Sequence, residues 1–492
     1  MPVPSAPGGA AGPATPPAPH ITRRGLALAG LATAQFMVVL DSSIVNVALP
    51  SIRRGLDLTP AQLSWVVDGY LVAFAGLLLL GGRLADVFGR RAVLLGGLTA
   101  FAAASALCAL APNGPVLVGA RIAQGAAGAV MAPAALSIVM TLFPDGPDRA
   151  RALGVWGGVS GAGGIAGVLL GGVLSQTLGW PWIFVINVPV ALAVGAVVLV
   201  SVRPFPAAGG SFDIAGAVTV TLAMAGLALG VVMGSDAGWT APVTPAALVL
   251  GLAALAAFVA LERRAARPLV PLRVLARPRL AVANTIMLLL GATAAGLFYF
   301  LPQYQQNVLG MSPLTTSLTQ LPIALTITAG GLLAPRVAAV LGVRLALTTA
   351  LAWLAVGLAW LARADPHARF LDGLLGPFLL IGAGLGTAFV YVTTLAVAGS
   401  APGETGLVSG LVNTARQMGG AVGLAALVAL ATATGTPAGT GTPAGHQPNL
   451  TAAFLGAAAL AATALLLSLT SALHHPAPTA ASPLLPGQRT ST

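Results

Sequence analysis

Apolar residues run through this chain in blocks of about twenty, separated by short stretches where arginine, aspartate, proline and glycine collect. The blocks lack the period-two alternation of barrel strands and are apolar all round, unlike helices that face water on one side. They predict fourteen membrane-spanning helices. The first six lie near residues 26–49, 64–82, 92–111, 114–140, 153–177 and 183–202, and a pair follows near 213–234 and 243–262. Six more lie near 280–301, 315–334, 343–362, 372–398, 407–432 and 450–472. Residues 1–22 and 474–492, rich in proline and alanine, are predicted to be disordered tails. Arg23 and Arg24 precede the first block as they would in a signal peptide. That block is too long for one and further blocks follow it, so it is read as an uncleaved span.

Composition agrees with the pattern. The 492 residues are 57% hydrophobic and 7% charged, with a mean hydropathy of +0.92, which excludes a soluble domain of this length. Backbone groups in lipid must be satisfied within the segment, so the expected fold class is an all-α polytopic membrane protein. The lipid bilayer is its expected partner. The net charge of +11 comes from arginine alone, and these arginines gather in the loops, where they read as topology signals and not as a nucleic-acid surface. With alanine and glycine so abundant, this codon usage points to a high-GC bacterium. The single cysteine, Cys108, lies in an apolar block, and the five histidines lie in tails or loops, so no metal or cofactor site is expected.

The arginines also orient the chain. With the amino terminus inside, 17 of the 23 fall on the cytoplasmic side, four fall outside and two lie within spans, so both termini are expected in the cytoplasm. Removing the 213–262 pair would keep this parity, so the pair is assigned by its hydropathy. A weak repeat links "GGRLADVFGRRAVLL" after the second span to "GGLLAPRVAAVLGVRLAL" after the tenth. The expected organisation is a six-helix half over 23–202, a two-helix insert and basic loop over 203–279, and a second half over 280–473.

A few polar residues break the apolar blocks, and these carry the candidate chemistry. Asp41, in "FMVVLDSSIVNVALP", sits at mid-membrane, where a charge costs about 2.5–3.5 kcal/mol on insertion scales. It must face the bundle interior, either as a structural carboxylate bonded to Ser42, Ser43 or a neighbouring helix, or as a site that loads and releases a proton. Arg121, in "VGARIAQGAAGAVMAPAA", is the second buried charge and needs partners in the same interior, either for helix pairing or to tune a protonation site. Gln124 and Gly125 follow one turn later. The loop "GGRLADVFGRR" sets Asp86 among arginines, with Gly82 and Gly89 permitting tight turns, and reads as a gate latch between halves. In the fifth span Gly154, Gly163, Gly167, Gly171 and Gly172 strip side chains from much of the helix, which allows close packing or bending.

Together these stretches resemble the major facilitator superfamily and, within it, the fourteen-span drug:proton antiporter family. The resemblance covers nearly the whole folded chain and is strongest from Leu40 to Pro189. "LDSSIVNVALP", "GRLADVFGRR" and "RIAQGAAGA" are similar to that group's first-span, loop and fourth-span motifs. The glycine series is similar to its fifth-span antiporter motif, and "WPWIFVINVP" to its sixth-span start. "GLVSGLVNTARQMGGAVGLA", with Asn413, Arg416 and Gln417, is similar to a thirteenth-span pattern. Two positions depart from the patterns: Val168 stands where the antiporter motif has proline, and Pro181 where arginine separates two tryptophans.

The resemblance implies two pseudo-symmetric six-helix halves plus a central pair, rocking around a cavity and exporting hydrophobic or amphipathic compounds against an inward proton flow. It implies that Asp41 is the main proton-coupling carboxylate, tuned by Arg121, and that Asp86, Arg90 and Arg91 stabilise one gate state. Asn46, Gln124, Asn413, Arg416 and Gln417 would share substrate binding, with aromatic help from Phe298 and Tyr299. Asp68, in "WVVDGYL", reads either as a second proton site or as an interfacial helix-start residue. Protons are the expected coupling ion, and a monomer the expected functional unit. An importer or uniporter on the same fold is the nearest rival. A membrane enzyme lacks convergent acid, base and metal-ligand residues, and a non-transporting receptor or scaffold has little reason to bury Asp41 and Arg121.

Overall fold

The computed structural model describes residues 24–143, 146–204, 214–236, 238, 240–265, 277–363, 369–398, 405–437, 446–447 and 449–469. The expected tails and the basic loop at Arg267 and Arg273 lie outside the described residues. The helices are α1 (Arg24–Leu56), α2 (Pro60–Phe88), α3 (Arg90–Ala109), α4 (Gly114–Leu142), α5 (Gly146–Thr177), α6 (Trp182–Val185) and α7 (Asn187–Ser201). They continue as α8 (Ile214–Asp236), α9 (Val243–Arg264), α10 (Pro278–Gln303), α11 (Pro313–Leu361), α12 (Leu375–Val397), α13 (Thr405–Ala433) and α14 (Leu450–Ser468). One π-helical turn, Tyr304–Val308, extends α10, and another, Phe370–Leu374, leads into α12. A two-residue antiparallel ladder pairs Thr436 with Gln447 and Pro437 with His446.

Ten helices among the described residues are long and apolar enough to cross a membrane, counting α6 and α7 as one. The longest, α11, is two spans joined at Gly342, where φ 76° and ψ 147° interrupt the helix. Shorter apolar helices at Gln62–Leu78, Ala162–Thr177 and Val218–Val231 complete the fourteen expected segments. The chain is a multi-pass membrane protein. Four helices that begin at one end of the bundle are capped by residues suited to the task. Thr59 forms a capping box with Gln62 ahead of Pro60, and the side chains of Asn113, Ser312 and Asn449 accept from the amides of Val116, Thr315 and Ala452.

Packing repeats between the halves. In the first half α1 lies along α5 and α2 along α4, and in the second α10 lies along α13 and α11 along α12. Small residues make each approach close. A Cβ on Gly167 would lie 2.9 Å from the Leu40 carbonyl oxygen of α1, and one on Gly171 would lie 2.8 Å from that of Ile44. Across α10 and α13, Cβ atoms on Gly291 and Gly419 would overlap the backbone at Arg416 and Leu288. Gly89, at φ 91° between α2 and α3, is the counterpart of Gly342 inside α11, and both positions need the left-handed freedom of glycine. The halves meet where α5 packs on α11, α2 on α13 and α1 on α10, while α8 of the central pair touches both α2 and α13.

Two expected connections are shorter than the sequence suggests. Gly82, expected at a turn, lies inside α2, which continues to Phe88, so the connection to α3 is Gly89 alone. Likewise the loop expected across 335–342 is helical apart from Gly342, because Pro335 is absorbed as a kink within α11. Replacing Gly291 with valine forces α10 and α13 apart, at a cost of about 1–3 kcal/mol. The purified variant is expected to melt at least a few degrees below wild type in detergent. Gly96→Ala, at a position with nothing within 4 Å, is expected to melt with it.

Candidate functional site

Asp41 lies midway along α1 and is fully buried, as are Arg121 and Gln124 one turn apart on α4 and Asn187 at the start of α7. The helix spacing of Arg121 and Gln124 points both side chains at Asp41. Arg121 Nη1 donates to Asp41 Oδ2 at 2.6 Å and to Gln124 Oε1 at 2.6 Å, and its Nε donates to the Val66 carbonyl at 2.9 Å. Gln124 Nε2 donates to Asp41 Oδ1 and to Ser105 Oγ, both at 2.8 Å. Asn187 Nδ2 adds a third donor to the carboxylate, at 2.8 Å. The Arg121 guanidinium stacks over Tyr70 at 4.3 Å and lies 5.8 Å from the ring of Phe184. Cys108 Sγ reaches Gln124 Oε1 at 3.7 Å. The amide protons of Gln124 are thus fully committed, and a proton arriving at Asp41 must compete with Arg121 for the carboxylate. Of these partners Asn187 was readable as an asparagine inside the apolar run "WIFVINVP". Ser105, Tyr70 and the Val66 carbonyl carry no signal in the chain.

Asp68 sits in α2 with no exposed surface, and neither carboxylate oxygen has a hydrogen-bond partner. It is therefore not an interfacial helix-start residue. A buried carboxylate without donors is costly enough to require a purpose.

The remaining candidates divide by exposure. Asn46 is half-buried on α1, its Nδ2 donating to the Ser42 carbonyl at 3.0 Å. Asn413 and Gln417 are half-buried and Arg416 is exposed, all within one turn of α13. Phe298 is half-buried, whereas Tyr299 is packed edge-on against Phe300 in the core. Two substrate-binding expectations are therefore corrected for this conformation. Gln124 is sealed into the Asp41 cluster because its amide satisfies buried charges, and Tyr299 faces the core because the adjacent Phe298 takes the more open side of α10.

Among the described residues the halves are clamped together at one end, along the α5–α11 seam and between α1 and the turn that extends α10. Ser317 Oγ donates to the Val168 carbonyl at 2.7 Å, the Leu314 amide donates to Gln176 Oε1 at 3.1 Å, and Gln306 Nε2 donates to the Val47 carbonyl at 2.9 Å. Gly172 lies against Ser317 and Pro313 here. Gly154 is 18 residues earlier on α5, five helical turns and about 27 Å away on the same face. Nothing lies within 4 Å of a Cβ at Gly154 or at Gly158, so the seam closed at Gly172 is open at Gly154. The five glycines accordingly do different things: Gly163, Gly167 and Gly171 seat α5 on α1, Gly172 seats it on α11, and Gly154 touches no neighbour. Arg90 donates to the Thr141 hydroxyl and Arg91 Nη2 to the Leu199 carbonyl at 2.8 Å. Both bonds stay within the first half in this conformation, in which the seam is open at the end that carries the loop. The Asp86 side chain lies outside the described residues.

Two halves of matched packing, a buried ion pair in one and a seam shut at one end describe a transporter architecture. The family model of the Major Facilitator Superfamily matches residues 31–424, spanning both halves. The chain belongs to that superfamily. Among major facilitator proteins it is similar to the cephamycin export protein CmcT of Amycolatopsis lactamdurans, 41% identical over 80% of this chain and 82% of that protein. It is also similar to the puromycin resistance protein pur8 of Streptomyces alboniger, 38% identical over 82% of this chain and 81% of that one. The lincomycin resistance protein of Streptomyces lincolnensis is 36% identical over 82% of this chain and 84% of its own length. The fold matches the solved nucleoside transporter NupG with a TM-score of 0.65 at 14% identity, covering 91% of this chain and all 100% of that one. A POT family peptide transporter matches with a TM-score of 0.62 at 21% identity, over 91% and 95% of the two chains.

Removing one member of a buried ion pair leaves an uncompensated charge, which costs about 3–5 kcal/mol. Asp41→Ala is therefore expected to melt well below wild type in detergent. The double variant Asp41→Ala with Arg121→Leu is expected to recover most of the loss, because no buried charge is left alone. Equal melting of the single and double variants would show that the pair is not coupled.

Proposed function

We propose that this major facilitator chain is a proton-coupled secondary transporter that exports hydrophobic or amphipathic drugs or antibiotics by alternating access. The observation that carries the reading is the Asp41–Arg121 pair, fully buried within a bundle whose halves part at one end. A membrane protein has little reason to keep an ion pair at that depth unless its rearrangement is used. A proton reaching Asp41 releases Arg121 from the carboxylate, and the guanidinium must then find other acceptors, which ties protonation to the packing of α1 against α4. Asp68 is a second protonation site in this reading, since its surroundings supply no donor and a transported proton would. The similarity to proteins named for antibiotic export and resistance supports the direction of transport and the class of cargo.

The protein resides in the bacterial plasma membrane with both termini cytoplasmic, which makes the clamped end of the seam the outer one and the conformation inward-open. It works without a cofactor other than protons, without nucleic acid and as a monomer. Its cargo leaves chemically unchanged, so it is not an enzyme. The domain limits at 23–202, 203–279 and 280–473 follow from the same division into halves and insert.

The reading is tested by drug accumulation in a pump-deficient bacterial host challenged with a panel of antibiotics and dyes. Wild type is expected to lower accumulation of at least one compound severalfold, and a protonophore or Asp41→Asn is expected to abolish the effect. Efflux that survives both would refute proton coupling through Asp41. The gate is tested with Asn46→Cys as a reporter and a membrane-impermeant maleimide applied outside. Adding Ser317→Ala and Gln306→Leu removes two of the bonds between halves and is expected to raise the labelling rate severalfold. An unchanged rate would remove these bonds from the outer gate.

A further inference from the structure

Arg416 lies eleven residues into α13, about 16 Å from the start of that helix and hence well within the membrane. Gly420 follows one turn later on the same face, and a Cβ there would lie 3.6 Å from Leu71 of α2. This face of α13 therefore looks across to the other half. Here the side chain of Arg416 is exposed, in contrast to the enclosed Arg121. Its Nη2 and Nε donate to one acceptor, Asn413 Oδ1, at 3.0 and 3.3 Å, and its Cζ lies 5.9 Å from the ring of Phe389 on α12. No carboxylate among the described residues pairs with it. Asp41 is committed to Arg121, and Asp68 is sealed away without a hydrogen-bond partner.

A guanidinium presents five donors in a planar fork, and Asn413 occupies only one edge of it. The other edge of this exposed side chain is left to water or to an incoming group. Asn413, a turn earlier, fixes the plane of the fork, and Phe389 offers an apolar wall beside it. Such a fork selects a planar anion, which it holds through two parallel charge-assisted hydrogen bonds. A cationic compound meets repulsion at the same place.

We propose that Arg416, oriented by Asn413, binds a carboxylate of the exported compound, so that the cargo is an amphipathic acid and not a lipophilic cation. The assignment rests on the exporter reading above and adds the charge of the cargo to it. Deletion of Arg416 removes recognition of the acid and leaves the apolar contacts in place.

The test uses three fluorescent acids of increasing size, dansyl-phenylalanine among them, each beside its methyl ester. Binding to the purified full-length protein is followed by fluorescence, and transport by wild-type proteoliposomes under an imposed pH gradient. Wild type is expected to bind at least one acid about tenfold more tightly than its ester. Arg416→Gln is expected to erase that preference by weakening the acid alone, and Arg416→Lys to keep part of it, with melting temperatures checking that each variant is folded. Equal binding of acids and esters to wild type, no binding of any probe, or a preference unchanged in Arg416→Gln overturns the proposal. An acid preference without any transport would leave the anion site standing and refute the exporter reading. Transport without a preference would do the reverse.

Discussion

A charge inside a membrane protein must be answered by another charge or by a full set of hydrogen bonds, and much of this structure is arranged around one such answer. Asp41 and Arg121 face each other from α1 and α4, and the groups around them close the account of donors and acceptors almost completely. Five helices contribute: α1, α2, α3, α4 and α7. Their relative rotation is fixed by the need to bring Ser105, Gln124 and Asn187 to the same few ångströms. The apolar remainder of the first half could pack in many rotations, so the polar cluster acts as its register. The same low dielectric makes the pair sensitive to a single proton, and a device for holding helices becomes a device for moving them.

Glycine does the complementary task on the backbone. Where α5 must lie against α1, its glycines present bare backbone to the carbonyls of Leu40 and Ile44, and the second half repeats the device between α13 and α10 with Gly419 and Gly291. Two of the positive-φ glycines, Gly89 and Gly342, turn the chain between the second and third spans of each half. Close contacts between whole helices give each half the stiffness that a rocking motion needs, and leave the few hydrogen bonds of the α5–α11 seam as the place that opens and closes.

Much of this could be read from the chain. Blocks of apolar residues gave all fourteen segments, because hydropathy over twenty residues is a strong signal, and the rarity of mid-membrane charge singled out Asp41 and Arg121, while Asp68 read equally as a proton site or as an interfacial residue. What escaped the sequence depends on three-dimensional neighbours. Gln124 is an ordinary polar residue in a helix until Asp41 and Ser105 are placed on either side of it, so its role as a buried bridge and not a cargo contact was invisible. Ser317, Gln306 and Gln176 look like the common polar content of a span end. Their importance arises because two of them meet bare carbonyls of the opposite half, a fact that periodicity does not carry. Arg90 and Arg91 read as latch residues by their loop, and the bonds they make in this conformation, to α4 and α7, follow from the turn at Gly89.

The position of α8 gives the molecule a handedness toward lipid. This helix touches α2 and α13 together, and Thr221 anchors it by donating to the Gly76 carbonyl at 2.7 Å. It therefore roofs one of the two lateral seams between the halves, while the α5–α11 seam stands open along Gly154 and Gly158, with no helix among the described residues over it. The bundle is thus covered on one flank and open on the other. Through α8, the added pair makes a structurally two-fold bundle one-sided.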